Sequence, residues 1–507
     1  MAEDSIREEL GSMGRHSSIY FISAAMSRAV GFLMIPIYTH YLAPKSYGGM
    51  EMIEILSSAI AIFVAMGVVE ALPRSYYEMK EQADKDRVVS TALLGLSVIG
   101  IPLVFSFLAV SGPISAAILA DGGVKRCLQL AILSAWSYTI SETISTYLRM
   151  TYQSRLFLVV SGITLIIAVL LNILFIVFLG YDILGFFLSQ LITQGLMGLV
   201  LAVIILRRIG CHFSMKVLRR MVAFGFPLVF PQIALLLGFS SNRFFLRWNS
   251  GFTPAEALTL VGLFALGHKF GVLVNRFVNG PLNSFWSPRR LELIVRDSRG
   301  DREVVGRIAT YAAMLSIFFS LILANSAESL IALFSDTQYQ NAHIVVPLVA
   351  IAYVFLGLET HFKAGLLQKR KTSRDAMLSV VALAVILLWN YLLIPRFGLI
   401  AAAASNAAGF CVRLVIIYYI SQKLFRIPFE IRRIFSMLVL ALILYLFGQT
   451  IRLNSQYLTL IIRGAIAMLF PFILFAFNFY RPEEIRWGRE GITRIFSLMR
   501  QRLSFVR

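Results

Sequence analysis

The stretch SRAVGFLMIPIYTHYLAPKSYG, Ser27 to Gly48, decides how the chain is read. It has the apolar run of a membrane-entering helix, yet Arg28 sits inside that run and Pro36 interrupts it. An arginine at the centre of a membrane helix costs roughly 2.5 to 3.5 kcal/mol on insertion scales, so a chain that keeps one has a use for it. The rest of the chain extends the pattern. Of its 507 residues, 58% are hydrophobic and only 15% charged, and the mean hydropathy is +0.77. Such values lie far outside the soluble globular range and predict an all-α polytopic membrane protein.

Apolar runs able to cross a hydrocarbon core of about 30 Å as helices can be counted directly. Fourteen are expected, near 17–40, 48–72, 88–111, 124–148, 156–180, 183–206, 221–243, 258–286, 306–325, 341–367, 375–395, 398–420, 434–450 and 458–479. The first should stay as an uncleaved anchor, because it is too long for a signal-peptide core. A net charge of +20 would suggest nucleic acid only if the basic residues formed one face. They recur instead in the short loops of one side, including SPRRLELIVRDSRGDREVVGR at 287–307, and so exclude that class. By the positive-inside rule both termini are cytoplasmic.

Several other classes fall away. Cys127, Cys211 and Cys411 are too scattered for a disulfide framework or a metal-ligand set, and no cofactor or metal is expected. The short outer loops leave little room for sugar-polymerising or ligating chemistry. No phosphate-cradling Gly-rich loop encodes an ATP engine. The C-terminal segment has Ile485, Ile492, Ile495, Phe496, Met499 and Leu503 at helical spacing among arginines, the pattern of an amphipathic helix on an anionic leaflet.

Charges inside the spans are the candidate site. Arg28 and Lys269 each lie roughly 16 Å from an end of their span, near the bilayer midplane. With α-helical spacing, Lys269, Arg276, Asn279 and Asn283 share an arc of about 80°, and His268 and Asn275 fall just beyond its edge. Two cations and two amides donate many hydrogen bonds and carry no negative charge, so an anion is the fitting occupant. Arg413 lies at intermediate depth. Lys363 is expected to pair with Glu359 four residues earlier, and Arg463 to snorkel to an interface. Glu142 and Glu70 are the internal carboxylates available for proton coupling, or for neutralising the cations.

Pro36, Pro227, Pro231 and Pro281 mark helices one, seven and eight as kinked. Helices one and seven occupy equivalent places if the chain is two six-helix lobes and a C-terminal pair. That organisation gives a cytoplasmic N-tail at 1–16, an N-lobe at 17–206, a C-lobe at 221–420, a helix pair at 434–479 and a basic tail at 480–507. Parallel repeats of this kind enclose a cavity suited to alternating access.

SRAVGFLMIPIYTHYLAPKSYGGMEMI (27–53), GVVEALPRSYYE (67–78) and FGFPLVFPQIALLLGFSSNRFFL (224–246) resemble the oligosaccharide (O-antigen type) flippase family of the MATE-like multidrug/oligosaccharidyl-lipid/polysaccharide (MOP) exporter superfamily. The resemblance implies a two-lobed, fourteen-helix transporter of a bacterial inner membrane. It would turn polyprenyl-pyrophosphate-linked glycans from the cytoplasmic to the periplasmic leaflet, among membrane lipids and beside polysaccharide polymerase machinery. Arg28, Lys269 and Arg276 would then receive the pyrophosphate in a cationic cavity between the lobes, with Asn279, Asn283 and Arg413 as further contacts. Similar members often carry Asp-Arg where this chain has Asn242-Arg243, so no carboxylate is expected there. Lipid II export and drug or metabolite export are the competing transport readings.

Overall fold

A computed structural model describes residues 26, 30–119, 124–296, 298–369, 371–451, 455–477 and 479–482. Arg28, half of the first span and the amphipathic segment expected near the C-terminus lie outside these residues. Among the described residues all regular structure is helical. In hydrocarbon every backbone N–H and C=O must be satisfied within the protein, which a helix does within its own segment.

The helices are α1 (30–41), α2 (Pro44–Ala65), α3 (Val68–Tyr77), α4 (Gln82–Ala109), α5 (Ser111–Leu119), α6 (Lys125–Met150), α7 (Ser154–Asn172), α8 (Asp182–Ile209), α9 (Met215–Asn249), α10 (Pro254–Gly271), α11 (Gly280–Arg296), α12 (Arg299–Phe334), α13 (Val345–Phe362), α14 (Ala364–Gln368), α15 (Thr372–Leu424), α16 (Ile431–Thr450) and α17 (Gln456–Ala476). Among the described residues, 11 continuous helical stretches are long and apolar enough to cross a membrane. Three further facts bring this count to the fourteen spans expected. α15 is two spans joined at Gly398, whose φ of 50° and ψ of −120° break the helix. α6 has the length of a span but carries too many polar side chains to pass as apolar. The first span is described only in part.

Two compact units divide the chain: Met1–Leu266 with Ala332–Ala342 and Ile386–Asn406, and Gly267–Ile331 with His343–Val385 and Ala407–Arg507. In the first unit, glycines let helix backbones touch. A Cβ on Gly48 of α2 would stand 1.9 Å from the Leu258 carbonyl oxygen of α10, and one on Gly262 would stand 2.1 Å from that of Pro44. At its other end α2 stops in two left-handed residues, Met66 (φ 47°) and Gly67 (φ 72°), before α3 resumes. A Cβ on Gly67 would lie 2.1 Å from the Gly225 carbonyl of α9. Small residues serve this purpose in membrane helices, where packing rather than apolar burial drives association. Val68, Leu72, Val88, Leu93, Leu96, Ile144, Leu148, Leu218 and Met221 form the buried cluster joining α3, α4, α6 and α9.

The second unit is organised around Trp286, Leu293, Ile294, Val305, Phe425 and Ile427. The Arg302 guanidinium stacks 4.4 Å above the Phe425 ring. Gly365 opens α14 against α15, its N–H donating to the Ser421 hydroxyl at 2.8 Å.

Candidate functional site

The expected polar stripe of the second unit is divided by a change in helical winding. Between α10 and α11 the backbone makes a π-helical turn over Asn275–Asn279, with the Gly280 N–H donating to the Asn275 carbonyl. Such a turn takes more residues than an α-helical one, so side chains beyond it are rotated away from the spacing that 3.6 residues per turn would give. Lys269, before the turn, is half-buried and Arg276 is exposed. Asn279 is buried among the helices, where its amide donates to the Tyr353 carbonyl at 2.7 Å and accepts from the Ser316 hydroxyl at 2.8 Å. Asn283 accepts from the Thr360 hydroxyl at 3.0 Å. The His268 ring Nε2 lies 3.4 Å from the Tyr353 hydroxyl.

Arg413 is held by two carboxylates, Asp375 at 2.8 Å and Glu359 at 3.2 Å. The expected Lys363–Glu359 pair is corrected here. α13 ends at Phe362, Lys363 leaves the helix (φ −73°, ψ 5°), and its Nζ lies 4.0 Å from Asp375 instead. Arg463, expected to snorkel, is not solvent-exposed but paired within the protein. Its side chain is 1% exposed, 2.6 Å from Glu328, and donates twice to the Ile451 carbonyl.

The first unit brings Glu70 and Glu142 to one cavity of about 430 Å³. Glu54 and Ser57 of α2, Ser134 and Tyr138 of α6, Gln190 and Gln194 of α8, and Gln232 of α9 complete its wall. The left-handed break at Met66 and Gly67 places the start of α3, with Glu70, at this cavity. A non-glycine residue with positive φ is strained, and such residues cluster where a site requires them. A second cavity, about 460 Å³, shares Tyr138, Glu142, Gln190 and Gln194 with the first and reaches Arg149, Asn172 and Thr193. Glu142 and Arg149 form an ion pair at 2.7 Å. Asn172 stands where α7 passes into a π-helical turn, Ile173–Phe178. It accepts from the Tyr38 hydroxyl at 3.3 Å and donates to the Ser189 hydroxyl at 2.9 Å.

Comparison with known proteins now decides the family. The sequence profile described as polysaccharide biosynthesis protein matches residues 13–292, more than half the chain. The chain belongs to the polysaccharide biosynthesis protein family. A similar relative is a Staphylococcus aureus protein named capsular polysaccharide biosynthesis protein CapF, 21% identical over 434 residues, 82% of this chain and 100% of that one. Among solved structures, a lipid II flippase MurJ in an inward closed conformation superposes with TM-score 0.71 at 13% identity, over 91% of this chain and 99% of that one. An inward-facing multidrug resistance MATE transporter of the MOP superfamily gives 0.58 at 14% identity, over 78% of this chain and 94% of that one. This polysaccharide biosynthesis family member therefore shares the all-helical fold of these two solved structures.

Two arginines of this family member near the end of α9, Arg243 and Arg247, are buried. Arg243 is 5% exposed, donates to Glu51 at 2.9 Å and lies 4.7 Å from the Phe264 ring centre. The Asn242 side-chain oxygen accepts from the Arg243 backbone N–H at 3.0 Å. Arg247 is 8% exposed and donates to the Ile118 carbonyl at 2.5 Å. The Tyr339 hydroxyl donates to the Leu42 carbonyl at 2.8 Å, with its ring packed edge-on to Tyr47. The sequence signal was present in the acidic Glu51 of an apolar helix, which had no stated partner.

Proposed function

We propose that this protein is a flippase that moves a polyprenyl-pyrophosphate-linked oligosaccharide, the repeat unit of a surface polysaccharide such as O-antigen, from the cytoplasmic to the periplasmic leaflet of a bacterial inner membrane. Membership of the polysaccharide biosynthesis family carries the reading. The chemistry of its charged residues supports it. A pyrophosphate cannot enter hydrocarbon unaided, and arginine and lysine within membrane helices give it charge-assisted hydrogen bonds. On this reading Arg28, Lys269 and Arg276 meet the pyrophosphate. Asn279 and Asn283 hold the helix beyond the π turn, and Arg413 anchors α15 to the helix bearing Glu359. Transport proceeds by alternating access, with protons coupled through Glu142 or Glu70, and the protein passes the glycan to polymerase machinery.

Sidedness of the lipid-linked glycan tests this. In spheroplasts depleted of the protein, the intermediate should accumulate and stay protected from an impermeant glycosidase or lectin, becoming accessible when wild type is restored. Normal exposure without the protein would overturn the reading. Lysis with loss of peptidoglycan precursor export would favour lipid II as the cargo instead.

A further inference from the structure

The two adjoining cavities of the first unit have a chemistry unlike that of a phosphate site. We propose that they form the glycan subsite of the transported lipid, receiving neutral sugar rings, a proposal that rests on the flippase reading. Each cavity, at about 430 and 460 Å³, falls within the range of pockets that hold small organic ligands, roughly 300 to 1,000 Å³.

Their walls offer amides and hydroxyls, groups that donate and accept together, as a sugar hydroxyl does. Gln194 and Gln232 supply amides and Thr193 a hydroxyl, beside Gln190, which accepts from the Ser134 hydroxyl at 3.2 Å, and Ser141, which donates to the Gln194 carbonyl at 3.3 Å. Tyr138, half-exposed at the shared wall, offers a ring face for the C–H side of a sugar. The position of these groups follows from helical spacing. Ser134, Tyr138, Ser141, Glu142, Ser145 and Arg149 recur at three and four residues along α6, one continuous face.

Part of this wall is unsatisfied by the protein. Thr193 is 2% exposed and its hydroxyl has no hydrogen-bond partner among the described residues. A buried polar group without a partner costs about 1 to 3 kcal/mol and calls for an explanation such as a ligand or ordered water. The side-chain amides of Gln194 and Gln232 likewise make no hydrogen bond among the described residues, although both line the first cavity.

Other occupants fit less well. Glu54, Glu70 and Glu142 would repel a pyrophosphate, and Arg149, the one arginine in the walls among the described residues, is already paired with Glu142. A bare metal ion needs a tight cage of ligands, and among the described residues no group of three His, Cys, Asp or Glu side chains is placed to hold one. An organic cation is the remaining competitor.

The test compares two lipids on the purified full-length protein: the glycan-bearing intermediate extracted from depleted cells, and sugar-free undecaprenyl pyrophosphate. Wild type should bind the intermediate more tightly. Thr193→Val, which keeps side-chain volume, and Gln194→Leu should weaken that binding about tenfold, the loss of one or two good hydrogen bonds. Both should leave affinity for undecaprenyl pyrophosphate unchanged, which also reports that they fold. Equal wild-type affinity for the two lipids would overturn the subsite and leave the flippase reading intact. Binding of neither lipid by wild type would overturn both. Ethidium affinity lost in the variants with lipid affinity unchanged would assign the cavity to an organic cation and overturn the proposal.

Discussion

At the scale of single residues, buried charge is governed by partners that spacing does not reveal. Arg243 and Glu51 lie 192 positions apart, and their side chains are 6% and 12% exposed. Removing one partner of a buried pair strands the other, at roughly 3 to 5 kcal/mol. Arg243→Ala and Glu51→Ala should therefore each lower the melting temperature in detergent markedly. The double variant should lose less than the two losses combined. Additive losses would show that the contact carries no coupling. Arg463→Ala should likewise reduce thermal stability, because its guanidinium also satisfies the Ile451 carbonyl; unchanged melting would show that these bonds carry no stability. Sequence identified these residues as charged and within or near spans. It missed the partners of Arg463 and Lys363, Glu328 and Asp375, because a helix end and burial depend on contacts that spacing does not show.

At the scale of elements, periodicity was legible where helices are regular and failed where winding changes. The split of α15 near Pro395 and Gly398 was readable, since both residues interrupt a helix. The π turn at Asn275–Asn279 left no comparable mark, so the arc drawn through Lys269, Arg276, Asn279 and Asn283 assumed an α-helical register the chain does not keep. The polar face of α6 was legible and went unused, although it supplies Tyr138 and Glu142 to both cavities. Glycine contacts give a sharp prediction at this scale. Gly262→Val should sharply reduce the folded yield, because a Cβ there would meet the Pro44 carbonyl. Gly464→Ala, where the same Cβ meets nothing within 4 Å, should be neutral or stabilising by up to about 1 kcal/mol. A reversed order in size-exclusion yield and melting temperature would contradict the close approach of α2 and α10.

For the whole molecule, composition alone carried the fold class, because a chain with 58% hydrophobic residues in spans of bilayer length has few folds open to it. Function was less legible, since the polar residues of the proposed glycan subsite, Gln190, Thr193 and Gln194 of α8 and Gln232 of α9, leave no motif that spacing reveals. Coupling is a property of the whole transport cycle. If protons drive it through Glu142 or Glu70, collapsing the proton gradient should slow flipping in wild type, and Glu142→Gln with Glu70→Gln should remove that dependence. Transport indifferent to the gradient would end the coupling proposal alone. The most direct measurement is translocation of the purified polyprenyl-pyrophosphate-linked glycan in proteoliposomes that contain only this protein, read by an impermeant glycosidase. Wild type should expose the glycan in the opposite leaflet and Lys269→Ala should lose most of that rate, whereas wild-type vesicles no faster than protein-free ones would contradict the account.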